Sequence, residues 1–539
     1  MVLQASTGHR ATNGITSRGA HELARMIARG ELSSAEVVEA HIEQIEQVNP
    51  ALNAVVVKRY DAARAEARRA DEQRANGEPL GPLHGVPMTV KECLDMSGTP
   101  STFGLSARAA INATADDVYV ARMRKAGAIV LGKSNVAQLL LYLESDNPLY
   151  GRTNNPWDIT RSAGGSSGGE AAIIAVGGSP LGLGTDLGGS TRVPATFCGI
   201  ASLKPTAGRT PDNGRYSIPI GQRAIVSQVG VLARTVDDVA LGTRVLTEAA
   251  VSQAAPPQTD GDAGSVDVAQ LRIAMYTHDG TIKPARAVVR AVTEAARLLE
   301  QRGARVTEWT PPDVGHAVDL FYGLLSADGG AGMARALRGS VRDARIKDIL
   351  MAASGSRRKV AAIRWLVTRM GQHSLASLLR NYGHADTNHY WNLVEAQMTY
   401  QRQFLDALDT DRGGPFDVIL CPGSALPAFV HGATRDLAVG GGYTALYNVL
   451  GYPAGVVPVT RVRADEEVGR LPSKDKAEQA AYRTEQGSAG LPVGVQVVAR
   501  PWNEHVALAV MRAIEAAASQ RPDYPQMASL PRDAIKGQG

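Results

Sequence analysis

The segment GGSSGG at 164–169 holds two adjacent serines that could do chemistry, and it permits three interpretations. Gly/Ser tracts are typical of flexible linkers. Residues 164–168 also fit the nucleophile-elbow pattern G-x-S-x-G, with His431 or His505 later in the chain as a base. The third interpretation is a catalytic loop of another kind, in which neighbouring elements hold the serines in place.

The flanking sequence fits the first two interpretations poorly. A linker is not expected to run directly into a core element, yet EAAIIAV at 170–176 follows at once and predicts a short buried helix. A nucleophile elbow needs a buried strand before its serine. The preceding residues, NNPWDITRSA at 154–163, are polar and turn-forming, so they predict no such strand.

Two other segments carry further groups that could act together with these serines. GTDLGGSTR at 184–192 follows a strand predicted over 181–186, and its glycines allow the N–H groups from Leu187 to Ser190 to point at one spot, as in an oxyanion hole. GVPMTVKEC places Lys91 at the end of another predicted strand. A serine beside a buried, neutral lysine is a known alternative to the Ser-His-Asp triad.

The segment GAIVLGKS at 127–134 matches the P-loop pattern G-x-x-x-x-G-K-[ST]. A P-loop follows a strand and wraps phosphate with exposed backbone N–H groups, whereas the four residues between these glycines are Ala, Ile, Val and Leu. They predict the strand itself, over 128–131, with Lys133 near its end. We therefore expect no nucleotide site here.

The composition excludes several classes of protein. The 539 residues are 44% apolar and 20% charged with a formal charge of +4, which is ordinary for a globular chain and too weak to predict a nucleic-acid partner. Cys93, Cys198 and Cys421 are far apart and lack His partners at metal spacing, so we expect free thiols, no metal ion and no other cofactor. The polar N-terminus and the absence of an apolar run of about 18 residues predict a cytoplasmic location.

Strands and helices alternate along the chain, which predicts an α/β layered fold. One helix is predicted over 33–50, with a capping box at Ser33 and Glu36 and with Pro50 after its last turn.

Residues 341–370 form a basic segment, with eight Arg or Lys side chains against Asp343 and Asp348, which leaves a local charge of +6. Apolar residues, including Trp365 and Leu366, are interleaved with the basic ones. This pattern has two interpretations. A basic amphipathic helix can lie on an anionic membrane surface. The same pattern is also typical of a solvated helical face or a subunit contact.

Several longer motifs resemble the amidase signature family, and within it the fatty acid amide hydrolase branch. SAGGSSGGEAAIIAVGGSPLGLGTDLGGSTRVPATFCGIASLKPT at 162–206 looks like the block that defines the family. GPLHGVPMTVKE at 81–92 resembles the segment that carries the family's catalytic lysine. Near the C-terminus, YTALYNVLGYPAGVVPVT at 443–460 and GLPVGVQVVARPWNEH at 490–505 are similar to that branch.

The resemblance implies the fold of that family, which is one large α/β/α layered domain with a central mixed twisted sheet. Its expected divisions are a tail at 1–19, a domain at 20–515 and a tail at 516–539. Within the domain, the family core is expected at 80–250 and 415–515, and a variable region that shapes the substrate site at 251–415.

The resemblance also implies a Ser-Ser-Lys triad, in which Lys91 is the base, Ser166 the proton bridge and Ser190 the nucleophile. A cis peptide bond is implied between Gly165 and Ser166. The oxyanion hole is expected to consist of the backbone N–H groups of Leu187, Gly188, Gly189 and Ser190.

Other residues are expected to support or line this site. Asp186 and Arg192 bracket the nucleophile segment and are expected to pair across it, with an ordinary surface ion pair as the alternative. Ser167 is expected to hold its loop by hydrogen bonds. The stretch that lines the acyl pocket in the branch is apolar here, with plain core packing as the alternative, and the predicted pocket residues are Leu140, Leu141, Tyr142, Leu143 and Thr185.

The function that follows is hydrolysis of a carboxylic amide with an apolar acyl group, with esters or carbamates as further substrates. One alternative is the amidotransferase subunit that shares the signature and passes ammonia to a partner enzyme. Another is a non-catalytic scaffold, which the joint presence of Lys91, Ser166 and Ser190 disfavours. Because dimers are common among relatives, the resemblance also makes a homodimer a candidate assembly.

Overall fold

In the computed structural model, which describes residues 14–211, 221–247, 261–380 and 382–530, a mixed sheet forms the middle layer. The strands of these ranges are Val55–Lys58 (β1), Pro87–Lys91 (β2), Ile129–Ser134 (β3), Asp146–Asn147 (β4), Gly151–Arg152 (β5), Leu181–Asp186 (β6), Ala201–Lys204 (β7), Gln228–Ala233 (β8), Arg272–Met275 (β9), Arg305–Glu308 (β10), Val418–Pro422 (β11), Ala454–Arg461 (β12) and Pro492–Ala499 (β13). β4 and β5 form a separate ribbon. The other eleven described strands pair in the order β1-β3-β2-β6-β8-β7-β12-β13-β11-β9-β10.

Helices cover both faces of this sheet. In the described ranges they span Ala20–Arg29 (α1), Ser34–Leu52 (α2), Tyr60–Ala75 (α3), Val118–Lys125 (α4), Gly168–Ala175 (α5), Arg192–Cys198 (α6), Val236–Thr247 (α7), Arg286–Glu300 (α8), Val314–Ser326 (α9), Ala331–Ala336 (α10), Ala344–Ser354 (α11), Arg357–Arg369 (α12), His373–Leu378 (α13), Thr387–Asp409 (α14), Gly442–Val449 (α15), Lys476–Glu485 (α16) and Glu504–Ala518 (α17).

Strand β3 shows how the two faces of the sheet are built. Successive side chains of a strand point to opposite faces. Ile129 and Leu131 belong to one buried cluster together with residues of α2, α3 and α5, whereas Val130 belongs to a second cluster with residues of α4, α7 and α17. The protein therefore has three layers, with helices on either side of the sheet, and the predicted α/β/α fold is confirmed.

Parallel pairing brings three strand ends to one edge of the sheet. β2 pairs in parallel with β3 and with β6, and Thr89 is in register with Gly182. The carboxyl ends of these strands therefore meet at one edge, where ligands commonly bind in α/β proteins. Lys91 is the last residue of β2, and the segment that follows Asp186 leaves β6 at the same edge.

The segment GAIVLGKS is a strand, as its composition predicted, and the strand continues past residue 131. β3 runs through Ser134. Lys133 is buried, and its Nζ lies 2.8 Å from Oγ of Ser101. The backbone of this segment pairs with β1 and β2, so it does not form a phosphate-binding loop.

Helix α2 begins with the predicted capping box but does not end before Pro50. The Ser33 side chain accepts from the N–H of Glu36, and the Glu36 carboxylate accepts from the N–H of Ser33. The helix continues through Pro50 to Leu52, and Asn53 closes it with a φ of 50°. Proline lacks one intrahelical hydrogen bond, but burial of the last turn in the core outweighs that loss.

The domain extends beyond both predicted boundaries. Thr16 is buried, and α17 continues to Ala518. The N–H of Ala528 donates to the carbonyl of Ala175 at 2.9 Å, so the chain beyond α17 packs on the domain as well. The outer parts of the predicted tails and of the variable region lie outside the described residues, at 1–13, 531–539 and 251–260.

Within the described ranges, every helix is too short or too polar to cross a lipid bilayer. The three thiols, at Cys93, Cys198 and Cys421, are buried and form no disulfide. The same part of the chain holds no group of three or more His, Cys, Asp or Glu side chains arranged to bind a metal ion.

Candidate active site

The buried amine of Lys91 lies among hydroxyl groups. Its Nζ is 2.8 Å from Oγ of Ser166 and 2.8 Å from Oγ1 of Thr185, and it is 3.3 Å from the carbonyl oxygen of Thr185. The Lys91 side chain has no exposed surface. Strand β2 carries Lys91 to this point, and the loop before α5 carries Ser166. The fold therefore brings the predicted base and the predicted bridge into contact.

Burial lowers the pKa of Lys91 to about 8. Removing an ammonium group from water disfavours its charged form, and this effect exceeds the opposing influence of Cys93, Asp186 and Glu170. A lysine with this pKa has an appreciable neutral fraction at pH 7 to 8. A general base requires that neutral fraction.

Ser166, Ser167 and Ser190 lie together where two loops meet. The N–H of Ser167 donates to the carbonyl of Ser190 at 3.2 Å, which ties the GGSSGG loop to the loop after β6. The peptide bond between Gly165 and Ser166 is cis. Ser166 and Ser167 have no exposed surface, whereas Ser190 is 8% exposed, so it is the most accessible of these three serines.

The two histidines that a nucleophile elbow would need lie elsewhere. Nε2 of His431 is 3.2 Å from the carbonyl oxygen of Ile159, and His505 packs against Gly261. The segment before the serines is not a strand of the sheet. The loop therefore does not have the structure of an elbow, and it is buried rather than a flexible linker.

The loop after β6 is folded around the carboxylate of Asp186. Oδ1 accepts from the N–H of Gly189 at 2.8 Å, and Oδ2 accepts from the N–H of Thr191 at 3.1 Å. The N–H of Gly189 is therefore directed at Asp186, which corrects the prediction that it belongs to the oxyanion hole. Three N–H groups of the loop make no hydrogen bond within the described residues and stay available as donors, those of Leu187, Gly188 and Ser190.

A buried ion pair joins the two ends of this loop. Nη2 of Arg192 is 2.9 Å from Oδ1 of Asp186, and both side chains are closed to solvent. Arg192 also donates to Gln496, to the carbonyl of Thr444 and to Asn448, at 2.7, 3.0 and 2.6 Å. Burial alone would raise the pKa of Asp186, but the Arg192 guanidinium and the surrounding donors hold it well below its usual value. The pair is therefore part of the core and not a surface ion pair.

The predicted pocket residues occupy different environments. Thr185 is buried, and its hydroxyl contacts the amine of Lys91, so it belongs to the surroundings of the predicted base. The ring of Phe321, in the variable region, faces Gly188: a Cβ atom at Gly188 would lie 2.7 Å from its Cζ. Phe321 was not predicted, because it lies in the part of the sequence where the resemblance is weak. Three of the predicted pocket residues are partly exposed and pack against the core, namely Leu140, Leu141 and Leu143.

Comparisons with known proteins identify the family of this chain. The family profile Amidase matches residues 36–508. The chain belongs to the amidase signature family. Fatty-acid amide hydrolase 1 of Sus scrofa is 34% identical over 508 residues, covering 92% of this chain and 84% of that protein. Acetamidase of Aspergillus oryzae is 32% identical over 518 residues, covering 92% and 89%.

The solved structures lead to the same family. A structure of fatty acid amide hydrolase matches this amidase with a TM-score of 0.79 and 25% identity, over 94% of this chain and 86% of that one. The protein is therefore a hydrolase that acts on amides.

In this amidase, Arg345 joins the variable region to the segment around the predicted pocket. Its guanidinium donates to Glu144 at 2.9 Å and to Asp146 at 2.8 Å, and it also pairs with Asp343. It covers the ring of Tyr142 at 4.2 Å from the centroid. Tyr142 is buried under this cation, so its ring is part of the support for the pocket segment.

The sequence offered no local signal for Arg345, since its acidic partners other than Asp343 lie about 200 positions away. A second missed residue did leave a signal. Glu170 is the one charged residue in the apolar segment EAAIIAV, and it is fully buried beside the strand that carries Lys91.

Proposed function

We propose that this amidase is a serine hydrolase in which Ser190 attacks the amide carbonyl, Ser166 relays the proton and Lys91 accepts it. The observation that carries the proposal is the 2.8 Å contact between Nζ of Lys91 and Oγ of Ser166 in a site closed to solvent. A buried hydroxyl between an amine and a more accessible serine can pass a proton from one to the other without bulk water.

In the first half-reaction, the proton of Ser190 Oγ passes to Ser166 while the Ser166 proton passes to the neutral amine of Lys91. Oγ of Ser190 bonds to the carbonyl carbon, and the oxyanion accepts hydrogen bonds from the N–H groups of Leu187, Gly188 and Ser190. When the C–N bond breaks, the proton returns along the same chain to the leaving nitrogen. Water then repeats the sequence on the acyl-enzyme and releases the acid.

The proposed substrates are carboxylic amides with an apolar acyl group, with esters or carbamates as further substrates. Partly exposed leucines at 140, 141 and 143, together with Phe321, support an apolar binding surface. The names of two relatives, fatty-acid amide hydrolase and acetamidase, point to acyl groups of different length. Specificity constants for p-nitroanilides of acetic, hexanoic and decanoic acids distinguish them, because an apolar pocket gains with each methylene that it buries.

The catalytic proposal is tested by serine variants treated with a fluorophosphonate probe. Ser190→Ala is expected to lose both amide hydrolysis and labelling, whereas the matched variant Ser167→Ala keeps appreciable activity. Labelling of Ser166 in the Ser190→Ala protein would show that the nucleophile is assigned to the wrong serine. If the isolated wild-type chain hydrolyses no anilide, fatty amide or ester, the amidotransferase subunit becomes the better interpretation.

We also propose that the basic segment 341–370 contacts anionic membrane surfaces. α12 exposes Ile363, Trp365 and Leu366 at 51%, 63% and 52%, an unusual display of large apolar side chains beside basic ones. Arg345 does not contribute to this surface, because its charge is bound by buried and half-buried carboxylates.

Sedimentation with vesicles tests this surface. Trp365→Ser is expected to weaken binding to phosphatidylserine-containing vesicles at low salt, while Met527→Ser, which removes another partly exposed apolar side chain, leaves binding unchanged. No binding of the wild type at low salt contradicts the membrane contact. A change in oligomeric state of Trp365→Ser without any change in vesicle binding favours the subunit contact instead.

A further inference from the structure

Glu170 is a buried carboxyl group that the proposed reaction does not use. It lies in the first turn of α5, four residues after Ser166, and has no exposed surface. Its oxygens meet hydroxyl groups: Oε2 accepts from Oγ of Ser134 at 2.6 Å, and Oε1 accepts from Oγ1 of Thr89. Among the described residues it has no Lys or Arg ion-pair partner. Burying a carboxylate without a cation costs folding free energy, which suggests that Glu170 has a function.

The carboxyl group is held against three neighbouring strands. Thr89 lies on β2 and Ser134 ends β3. A Cβ atom at Gly182 of β6 would overlap Oε1 of Glu170, and Gly182 is the sheet partner of Thr89. Glu170 is therefore fixed between the strand that carries the base and the strand that leads to the nucleophile loop.

The carboxyl group of Glu170 packs on the same face of β2 as the side chain of Lys91. Thr89 and Lys91 are two residues apart in this strand, so their side chains point to the same face and are separated along it by about 7 Å. Because Thr89 bonds the Glu170 carboxyl, that carboxyl lies on the side of β2 that carries the Lys91 amine, and in buried surroundings charges interact strongly over several ångströms. A carboxylate at Glu170 favours the ammonium form of Lys91, and the ammonium favours the carboxylate.

We infer that Glu170 is a positioning residue whose negative charge stabilises the ammonium group formed when Lys91 accepts the proton of Ser190. The inference rests on the proposed role of Lys91 as the base. No bond is made or broken at Glu170, because its carboxylate acts through its charge. It thereby sets how strongly the amine holds the proton before returning it to the leaving nitrogen.

The other ionisable groups that face Lys91 keep one charge state near neutral pH. Burial raises the pKa of Cys93 to about 12, so its thiol stays neutral. Asp186 stays ionised, because the pKa of its carboxyl lies well below its usual value. Burial raises the pKa of Glu170 to about 7, against the opposing effect of its two hydroxyl partners and of Lys91. Glu170 is therefore the neighbour of Lys91 whose charge changes in the working range of pH.

The test is the pH dependence of fluorophosphonate labelling at Ser190 in the full chain, for the wild type and for Glu170→Gln. The amide keeps the size of the side chain and removes its charge. We expect the pH of half-maximal labelling to fall by about one unit, and the maximal rate to fall several-fold because the amine becomes a weaker base. A curve that is lower but keeps its midpoint overturns the inference, because loss of a structural hydrogen bond alone gives that result.

Glu515→Gln is the matched control. Its side chain is partly buried, and desolvation raises its pKa to about 7, but it bonds the N–H of Val236 and is not among the groups that act on Lys91. We expect its labelling midpoint to equal that of the wild type. A shift equal to that of Glu170→Gln overturns the inference, because loss of any buried carboxyl would then produce it.

Two further variants keep the inference testable. If Glu170→Gln does not fold, Thr89→Val tests the inference instead. This variant removes one hydroxyl donor to Glu170 and so disfavours the carboxylate, which should also lower the labelling midpoint. An unchanged midpoint in Thr89→Val overturns the inference. Lys91→Met separates the inference from the proposed function. If Lys91→Met is still labelled with the wild-type midpoint, Lys91 is not the base. If Lys91→Met loses labelling while Glu170→Gln keeps the wild-type midpoint, only the inference about Glu170 is overturned.

Discussion

Nζ of Lys91 and Oγ of Ser166 are 2.8 Å apart, although the two residues are separated by 75 positions in the chain. The amine is buried among hydroxyl groups, and burial holds its pKa at about 8. The burial that lowers the pKa of Lys91 also opposes folding, because the folded protein must hold a partly charged amine out of water.

Lys91→Met is therefore expected to stabilise the protein while it abolishes labelling. The pKa of Lys91 falls from 10.5 to about 8 on folding, so at pH 7 the unfolded chain binds this proton more tightly than the folded one. The variant should gain about 1–3 kcal/mol in free energy of unfolding at pH 7. The gain should shrink as pH rises through 8 and vanish above the unfolded pKa, which urea unfolding at pH 7 and pH 10 measures.

Lys125→Met is the control for this prediction, since Lys125 is an exposed residue at the end of α4. Its free energy of unfolding should stay within about 0.5 kcal/mol of the wild type at both pH values. A Lys91→Met protein that is less stable than the wild type at pH 7 contradicts the argument.

Asp186→Asn is expected to be strongly destabilising. The asparagine leaves the fully buried guanidinium of Arg192 without a counter-charge, which costs about 3–5 kcal/mol of unfolding free energy. Asp237→Asn breaks a pair with Arg512 whose side chains are 48% and 40% exposed, and it should cost less than about 1 kcal/mol. Equal losses in the two variants, measured by urea unfolding, would show that the buried pair does not brace the loop.

Gly165→Ala is expected to displace the serine bridge. A Cβ atom at Gly165 would overlap the backbone N of Glu144 and lie 2.7 Å from the carbonyl oxygen of Tyr142, and neither backbone atom can move away without moving its loop. We expect the rate of fluorophosphonate labelling to fall at least tenfold, since a shift of about 1 Å in a catalytic group has effects of this size or larger.

Gly14→Ala is the matched glycine variant, because a Cβ atom there meets no atom within 4 Å. It should label at the wild-type rate. A Gly165→Ala protein that labels as fast as Gly14→Ala would show that close packing of Gly165 against the backbone of Tyr142 and Glu144 is not needed for nucleophile activation.

Arg345→Met is expected to act on substrate preference more than on the nucleophile. It removes the cation that bonds Glu144 and Asp146 and covers Tyr142, next to the leucines of the proposed acyl pocket. The specificity constant for a decanoyl anilide should fall about tenfold relative to that for the acetyl anilide. Arg435→Met breaks a pair with 59% and 38% exposed side chains and should leave this ratio unchanged. An unchanged ratio in Arg345→Met means that the variable region does not position the pocket.

Local pattern was sufficient to predict the elements that carry the proposed catalytic residues. The strands ending at Lys91 and Asp186, the short helix after Ser166 and the rejection of the P-loop at 127–134 all follow from apolar runs, turn residues and caps, which depend on near neighbours. The helix that continues through Pro50 was mispredicted, because tertiary packing outweighed a local rule.

The amino-acid sequence by itself determined the family and the fold class, because long motifs identify them without any coordinates, and it predicted the three residues of the proposed triad. Only the tertiary structure decided which hydrogen bonds these residues make. It directs the N–H of Gly189 to Asp186, places the hydroxyl of Thr185 against the amine of Lys91 and bonds Glu170 to Thr89 on the strand that carries Lys91. The last two of these contacts join positions 94 and 81 residues apart. Partners in a folded core are chosen by distance and burial in space, which neither spacing nor propensity along the chain encodes.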